Sequence, residues 1–341
     1  MFYSPLPRTL AAALRDLKED KPTVRAAAVR DLARHVEEHR ADVTRGLEEA
    51  LRDEAAIVRA TAAEAIGDAG IVEGVEWLLA AMEDDSPIAR QNAILALGLL
   101  RDERAEPALL RALSDPRPDV RFQATMAYAR VAPRAAALDA LLARTRDDDD
   151  AIVHIALRMT EELVTSEPGA PEEEIDERVM ARARACLRHD SPSVRVVAAI
   201  IVAAAGRDWG DATLVDAATG KLGPIDNEDL AEAIELVAER DLRGAQAGLA
   251  ARARGGFLGL SQDPCQWQAR VALARFGDEK ERKHILRELG ASSFAKRTVA
   301  VSAAGRAMLR EALPILEGMV GQPERADQDA VREALRLLER T

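Results

Sequence analysis

Apolar residues recur at helical spacing in short segments along the chain, and the segments alternate in kind. One kind is amphipathic, as in GVEWLLAAMED and EPALLRALSD, and runs into a polar turn containing Asp. The other opens on Pro in its first turn and is rich in Ala, as in PDVRFQATMAYARV. Aligned on the turn Asp and a following Val-Arg pair, six units read DKPTVRAAA, DEAAIVRATA, DDSPIARQNA, DPRPDVRFQA, DDDDAIVHIAL and HDSPSVRVVAA. The second members of the pair are Arg25, Arg59, Arg90, Arg121, His154 and Arg195, spaced 34, 31, 31, 33 and 41 residues apart. The last spacing contains a Pro/Gly/acidic insert, TSEPGAPEEE, which reads as a loop. Small residues at Ala28, Ala62, Ala93, Ala124 and Ala198 let each second helix approach its neighbours closely. Each unit is a helical hairpin, and since one hairpin cannot bury its apolar face alone, the units must stack into a one-dimensional array.

Beyond Gly206 the signature decays while the period persists. Hairpins are expected from 211–221 with 227–238, 242–254 with 264–276, 280–289 with 294–304, and 308–320 with 327–340. Lys296-Arg297 followed by Ala300 partly restores the pattern, and the charged last helix suits a terminal cap. The repeats of about residues 7–205 resemble the HEAT-repeat family, in particular its short repeats of the phycobilisome-lyase type. The expected fold is therefore all-α, a right-handed α-solenoid of about ten HEAT-like hairpins. Regular repeats fill residues 1–205 and divergent ones 206–341, with a subdomain break expected near Gly206 to Gly210. The resemblance implies that the turn Asp residues (Asp20, Asp53, Asp84, Asp115, Asp190) and the arginines pair within and between repeats, and that second helices line the concave side.

Composition removes several classes. With two cysteines in 341 residues, Cys186 and Cys265, and no CxxC, there is no disulfide framework or zinc knuckle, and a reducing cytoplasm is the expected setting. The longest apolar run, 196–205, is too short to span a membrane, and the first residues lack a signal-peptide pattern. A net charge of −12 argues against nucleic acid as the default partner, although a local basic patch can hide within an acidic total.

Catalytic motifs are weak. His35-Val-Glu-Glu-His39 has the order of inverted zinc peptidases but sits at the end of a hairpin with no third ligand in sight. None of the five histidines is followed by Glu, which removes the paired His-Glu motifs of deoxyhypusine hydroxylases, enzymes of similar architecture. HEAT-like DNA glycosylases need a basic concave face with Trp and a carboxylate, whereas Trp77, Trp209 and Trp267 are dispersed. Neither a phosphate loop, a nucleophile elbow nor a dinucleotide-binding turn is present, so no catalytic, cofactor-binding or metal-binding residue is assigned.

The informative signal lies on the second helices. Read as a wheel, Val120, Ala124, Ala127 and Tyr128 share the core side, and the positions one and five after the Arg lie opposite. In the first two units these are Ala26 and Arg30, then Ala60 and Glu64. In the next four they are Gln91 and Leu95, Phe122 and Met126, Ile155 and Met159, Val196 and Ile200, apolar in seven of eight places. An apolar stripe along the middle repeats is expected to bind another protein, which makes the chain a non-catalytic interaction scaffold or adaptor, with no cofactor and no membrane. A self-complementary stripe would instead make a homo-oligomer, and a stripe covered by its own repeats would be core. The alternative class is an enzyme or enzyme subunit on the HEAT scaffold, glycosylase-like or lyase-like, which a basic groove with converging Trp and Asp would favour. Two loops are secondary candidates: the acidic insert at Pro171 to Glu174, and the Gly-rich segment 255–263 with Phe257, Leu258 and Leu260.

Overall fold

The computed structural model describes residues 8–165, 175–254 and 263–339. Among the described residues the protein is all-α, with twenty α-helices and no strand. The helices form ten hairpins, as the periodicity predicts, and the chain divides between Pro171 and Glu172 into two compact units of five hairpins each. The first unit holds α1 (Leu10–Asp16) with α2 (Pro22–Ala33), α3 (Val36–Ala50) with α4 (Ala56–Asp68), and α5 (Val75–Ala81) with α6 (Pro87–Leu100). It continues with α7 (Glu106–Ala112) and α8 (Pro118–Val131), then α9 (Arg134–Arg144) and α10 (Asp150–Thr165). The second unit holds α11 (Glu177–Cys186) with α12 (Pro192–Ala204), α13 (Asp211–Thr219) with α14 (Asn227–Glu239), and α15 (Gln246–Arg254) with α16 (Gln266–Arg275). Its last pairs are α17 (Glu279–Glu288) with α18 (Phe294–Arg306), and α19 (Leu313–Glu317) with α20 (Gln328–Glu339).

Local chemistry starts these helices where the sequence predicts. Pro22, Pro87, Pro118 and Pro192 stand in the first turns of α2, α6, α8 and α12, each after a residue in extended conformation, as the clash of the proline ring with its predecessor requires. The turn carboxylates Asp53, Asp84 and Asp115 accept the backbone N–H two residues on, each at 2.8 Å. Second helices stop by a recurring device. After α12, Gly206 takes φ 69°, its N–H donates to the carbonyl of Ala203, and that of Arg207 donates to Val202, satisfying two terminal carbonyls. Gly70 and Gly277 end α4 and α16 in the same way.

Gly206 is thus a helix stop and not a boundary between units. α12, α13 and α14 pack on one another across it, and Gly210 lies so close to α12 that a Cβ there would stand 2.9 Å from the Cα of Ala199. The division falls instead at Pro171/Glu172. Arg101, an exposed residue at φ 52°, fills at the end of α6 the left-handed position that glycine takes elsewhere. Arg101→Gly is expected to raise stability by about 0.5–1 kcal/mol, read as an increase in denaturation midpoint at constant m-value.

Each second helix stacks directly on the next within its unit, α2 on α4 on α6 on α8 on α10, and α12 on α14 on α16 on α18 on α20. Fully buried Leu32, Ile66, Ile94, Leu97 and Leu109 fill the space between layers in the first unit. Two glycines 31 residues apart set the separation of the layers, since a Cβ on Gly67 would stand 2.8 Å from the Cα of Ala96, and one on Gly98 2.8 Å from the Cα of Ala127. Gly305 repeats the arrangement against Ala334 in the second unit.

Candidate functional site

The arginines of the repeat form a ladder. Arg25 donates from Nε and Nη2 to the Asp53 carboxylate at 2.7 Å each, and from Nη1 to the carbonyls of Glu19 and Asp20 at 2.9 and 3.0 Å. Arg59 repeats this with Asp84 at 2.7 and 2.8 Å and with the carbonyls of Asp53 and Glu54. Arg121 repeats it with Asp147 at 3.0 and 2.7 Å and with the carbonyls of Asp115 and Pro116. Each fork therefore clamps its own turn and grips the carboxylate of the next, the planar bidentate geometry that only arginine supplies. The hydrogen bond from Arg59 holds the Asp84 carboxyl down at about 2. Burial is the largest influence on Asp147 and would raise it, but the bonds from Arg121 and from the N–H of Asp149, with the Arg121 charge, together outweigh it, so this carboxyl is also lowered.

The ladder is narrower in carboxylates than the repeat alignment implies. Asp20 and Asp190 are exposed and make no ion pair among the described residues, and Asp115 accepts only a turn N–H. Arg90 reaches the carbonyls of Asp84 and Asp85. In the divergent half, Arg297 rebuilds the rung on carbonyls alone, donating to Ala291 and Ser292 of its own turn and to Glu324 and Arg325 of the next. Asp147 was hidden by its run of four aspartates, among which only the tertiary contact with Arg121 singles it out. All of this chemistry is structural.

The His35/His39 pair does not form a metal-binding face. His35 precedes α3 and contacts the Arg8 carbonyl through Nε2 at 2.9 Å, while His39 breaks the helix at φ −135°. Trp77 packs on the core of the first unit, Trp209 lies under the Arg184 guanidinium at 4.9 Å, and Trp267 meets His284 with ring centroids 5.7 Å apart. The loop residues Phe257, Leu258 and Leu260, and the acidic insert at 171–174, lie outside the described residues.

The stripe divides between surface and core. Gln91 and Leu95 on α6, Phe122 and Met126 on α8, and Ile155 on α10 are half-buried. Met159 is buried in a cluster with Ala156 and with Leu141 of α9, and Met126, Ile155 and Leu163 pack against that cluster. Val196 and Ile200 are 0% and 1% exposed, so these two members of the expected binding set are core. The reason is α12 itself, which is apolar all round in PSVRVVAAIIVAA and is covered on every side. Gln91 is also committed, since its amide donates to Asp119, which Arg117 grips at 2.7 Å. Two residues missed by the wheel belong to the same face of α6: Ile88 and Leu99, 47% and 43% exposed. Their spacing with Gln91 and Leu95 (88, 91, 95, 99) is that of one helical face and was legible in the sequence.

An α-solenoid of helical hairpins, closed by an Arg–Asp ladder and carrying an apolar face on its second helices, is the class that this geometry defines. Residues 75–160, which run from α5 into α10, match the family of HEAT repeats. Among solved structures, the chain is similar to the complex of CpcE and CpcF of phycocyanin lyase from a Nostoc species, 19% identical over 73% of this chain and 96% of that one, with a TM-score of 0.45. It is also similar to an engineered protein (17% identity, 97% and 98% coverage, TM-score 0.42) and to YIBA of E. coli (14% identity, 78% and 92%, TM-score 0.49). No curated protein matches the sequence.

Proposed function

We propose that the protein is a non-catalytic HEAT-repeat scaffold that binds an amphipathic helix of another protein across the second-helix face of α6, α8 and α10. The observation that carries this reading is the row of Ile88, Leu95, Leu99, Phe122, Met126 and Ile155, apolar on three successive second helices, with Ile88 and Leu99 exposed and the other four half-buried. Helices stacked about 10 Å apart make the row roughly 20 Å long, the length of a helix of about 13 residues. Phe122 and Met126 are its centre, an aromatic anchor beside an adaptable thioether. The bond from Gln91 to Asp119 ties α6 to α8 at the edge of the row, so the surface is formed before a partner arrives and loses little entropy on binding.

The test compares wild type with Phe122→Glu by affinity capture, followed by fluorescence polarisation with the helix identified in the captured protein. Because Phe122 is only half-buried, the variant is expected to keep its helical content and melting temperature while weakening the helix by at least about 30-fold, the effect of losing one anchor. Unchanged affinity, or an unfolded Phe122→Glu protein, would overturn the reading. A wild-type mass that rises with concentration and is lost in the variant would make the row a contact between copies of this chain.

A further inference from the structure

The second unit carries an open cleft of about 800 Å³ between α15, α16 and α17. Its walls hold Arg254, Arg270, Lys280, Lys283, His284 and Arg287 against two carboxylates, Glu279 and Glu281. In a chain with 59 acidic and 47 basic residues this is a local reversal of sign, of the kind that focuses a field on a small anion.

The innermost charges are spent on structure. Arg270 donates to buried Glu281 through Nη1 and to the carbonyl of Ala253 through Nη2 at 2.7 Å, which fixes α16 against both neighbours. The outer cations, Lys280, Lys283 and Arg287, are exposed and only loosely paired: the lysines stand 4.0 and 3.8 Å from Glu281 and Glu279, and Arg287 stands 3.6 Å from Glu288, ion-pair distances longer than a hydrogen bond. Between them, Arg287 Nη2 lies 2.7 Å from Nδ1 of His284. A guanidinium can only donate, so Nδ1 accepts, and the imidazole is neutral with its proton on Nε2. Burial, then the nearby Arg270 and Arg287, push the His284 pKa down and favour that form.

We propose that this cleft binds a compact anion carrying two or more phosphoryl groups, held by Lys280, Lys283 and Arg287 with an imidazole N–H donor from His284. Several cations converging on one cleft suit several formal negative charges, where a lone carboxylate would leave most of them unmatched. The volume lies within the range of small-ligand pockets and accommodates a nucleotide. A nucleic acid fits less well, because the basic side chains do not continue along the stack: α14, on which α16 packs, carries Glu228, Glu232, Glu235 and Glu239.

Calorimetric titration of the full chain with inorganic pyrophosphate, with ADP and with sulfate, in about 50 mM salt where phosphate contacts are least screened, tests this assignment. Pyrophosphate and ADP are expected to bind one per chain, and sulfate at least about tenfold more weakly. Lys283→Glu and Arg287→Gln should each weaken pyrophosphate by about tenfold or more with the melting temperature unchanged, since both side chains are exposed. Tighter binding of ADP than of pyrophosphate would identify a nucleotide as the source of the phosphates, and the reverse order an inorganic polyphosphate. No heat from either anion up to about 5 mM, affinities untouched by both substitutions, or a DNA oligonucleotide that outcompetes pyrophosphate would each overturn it.

Discussion

Asp147→Ala is expected to cost the first unit about 3 kcal/mol, which for a unit of this size lowers the melting temperature by roughly 6–12 °C. The Asp147 side chain is 4% exposed and receives two hydrogen bonds from Arg121, one from Arg144 at 3.2 Å and one from the N–H of Asp149. Its removal leaves a largely buried guanidinium with two carbonyls and the exposed Asp148 as partners. Asp20→Ala and Asp190→Ala, at positions that look equivalent in the repeat alignment, should each change stability by less than about 0.5 kcal/mol, because both side chains face solvent. Equal effects of all three in denaturant unfolding would show that the ladder does not act as the geometry implies.

The same rungs set the response to acid. The Asp84 carboxyl is held at about 2 against an ordinary value of 3.8, and a carboxyl lowered in the folded state stabilises fully above its unfolded pKa. Stability should therefore be flat from neutral pH to about 5 and fall between about pH 4 and pH 2, as the unfolded chain takes up protons that the rungs exclude. Asp84→Asn should flatten that part of the profile. A melting temperature that instead fell between pH 7 and 5 would place the controlling group elsewhere.

Gly98→Ala is the second large effect, and its sign runs against helix propensity. Alanine would favour α6 by about 1 kcal/mol, yet its Cβ would stand 2.8 Å from the Cα and 2.9 Å from the Cβ of Ala127 on α8. The obstacle is backbone, which cannot rotate away, so the two helices must separate along the unit. Overpacking of this kind costs about 1–3 kcal/mol and occasionally more, which leaves a net loss of about 1–2 kcal/mol or greater. Gly290→Ala, whose nearest neighbour would be a carbonyl at 3.5 Å, should be nearly neutral in the same unfolding assay. Adding Ala127→Gly should recover part of the loss, because it removes the methyl group facing the new side chain but leaves the α8 backbone in its way.

How much of this was legible in the sequence follows the range of the interactions. Helix starts at Pro22, Pro87, Pro118 and Pro192, the aspartate turns and the ten-hairpin count all rest on contacts within a few residues, so composition at fixed spacing reveals them. The pairing of Arg25 with Asp53 and of Arg59 with Asp84 was also within reach, since a strict period places equivalent turns side by side.

What a side chain faces at longer range was settled only by the tertiary structure. Phe122 and Val196 occupy the same place in the repeat, yet Phe122 stands half-open on α8 while Val196 is sealed within α12 by its neighbours. The division at Pro171/Glu172 and the choice of Asp147 among four aspartates likewise depend on which helices meet. The basic cleft sets Lys280, Lys283, His284 and Arg287, one face of α17, beside Arg254 and Arg270 of two other helices, so a window along the chain contains the basic face but not the cleft. The sequence by itself determined the repeating hairpin and the Arg25 and Arg59 rungs, because these follow from local stereochemistry multiplied by a period. The exposed face and the cleft belong to the tertiary structure, because burial is a property of the neighbours a residue acquires and not of the residue.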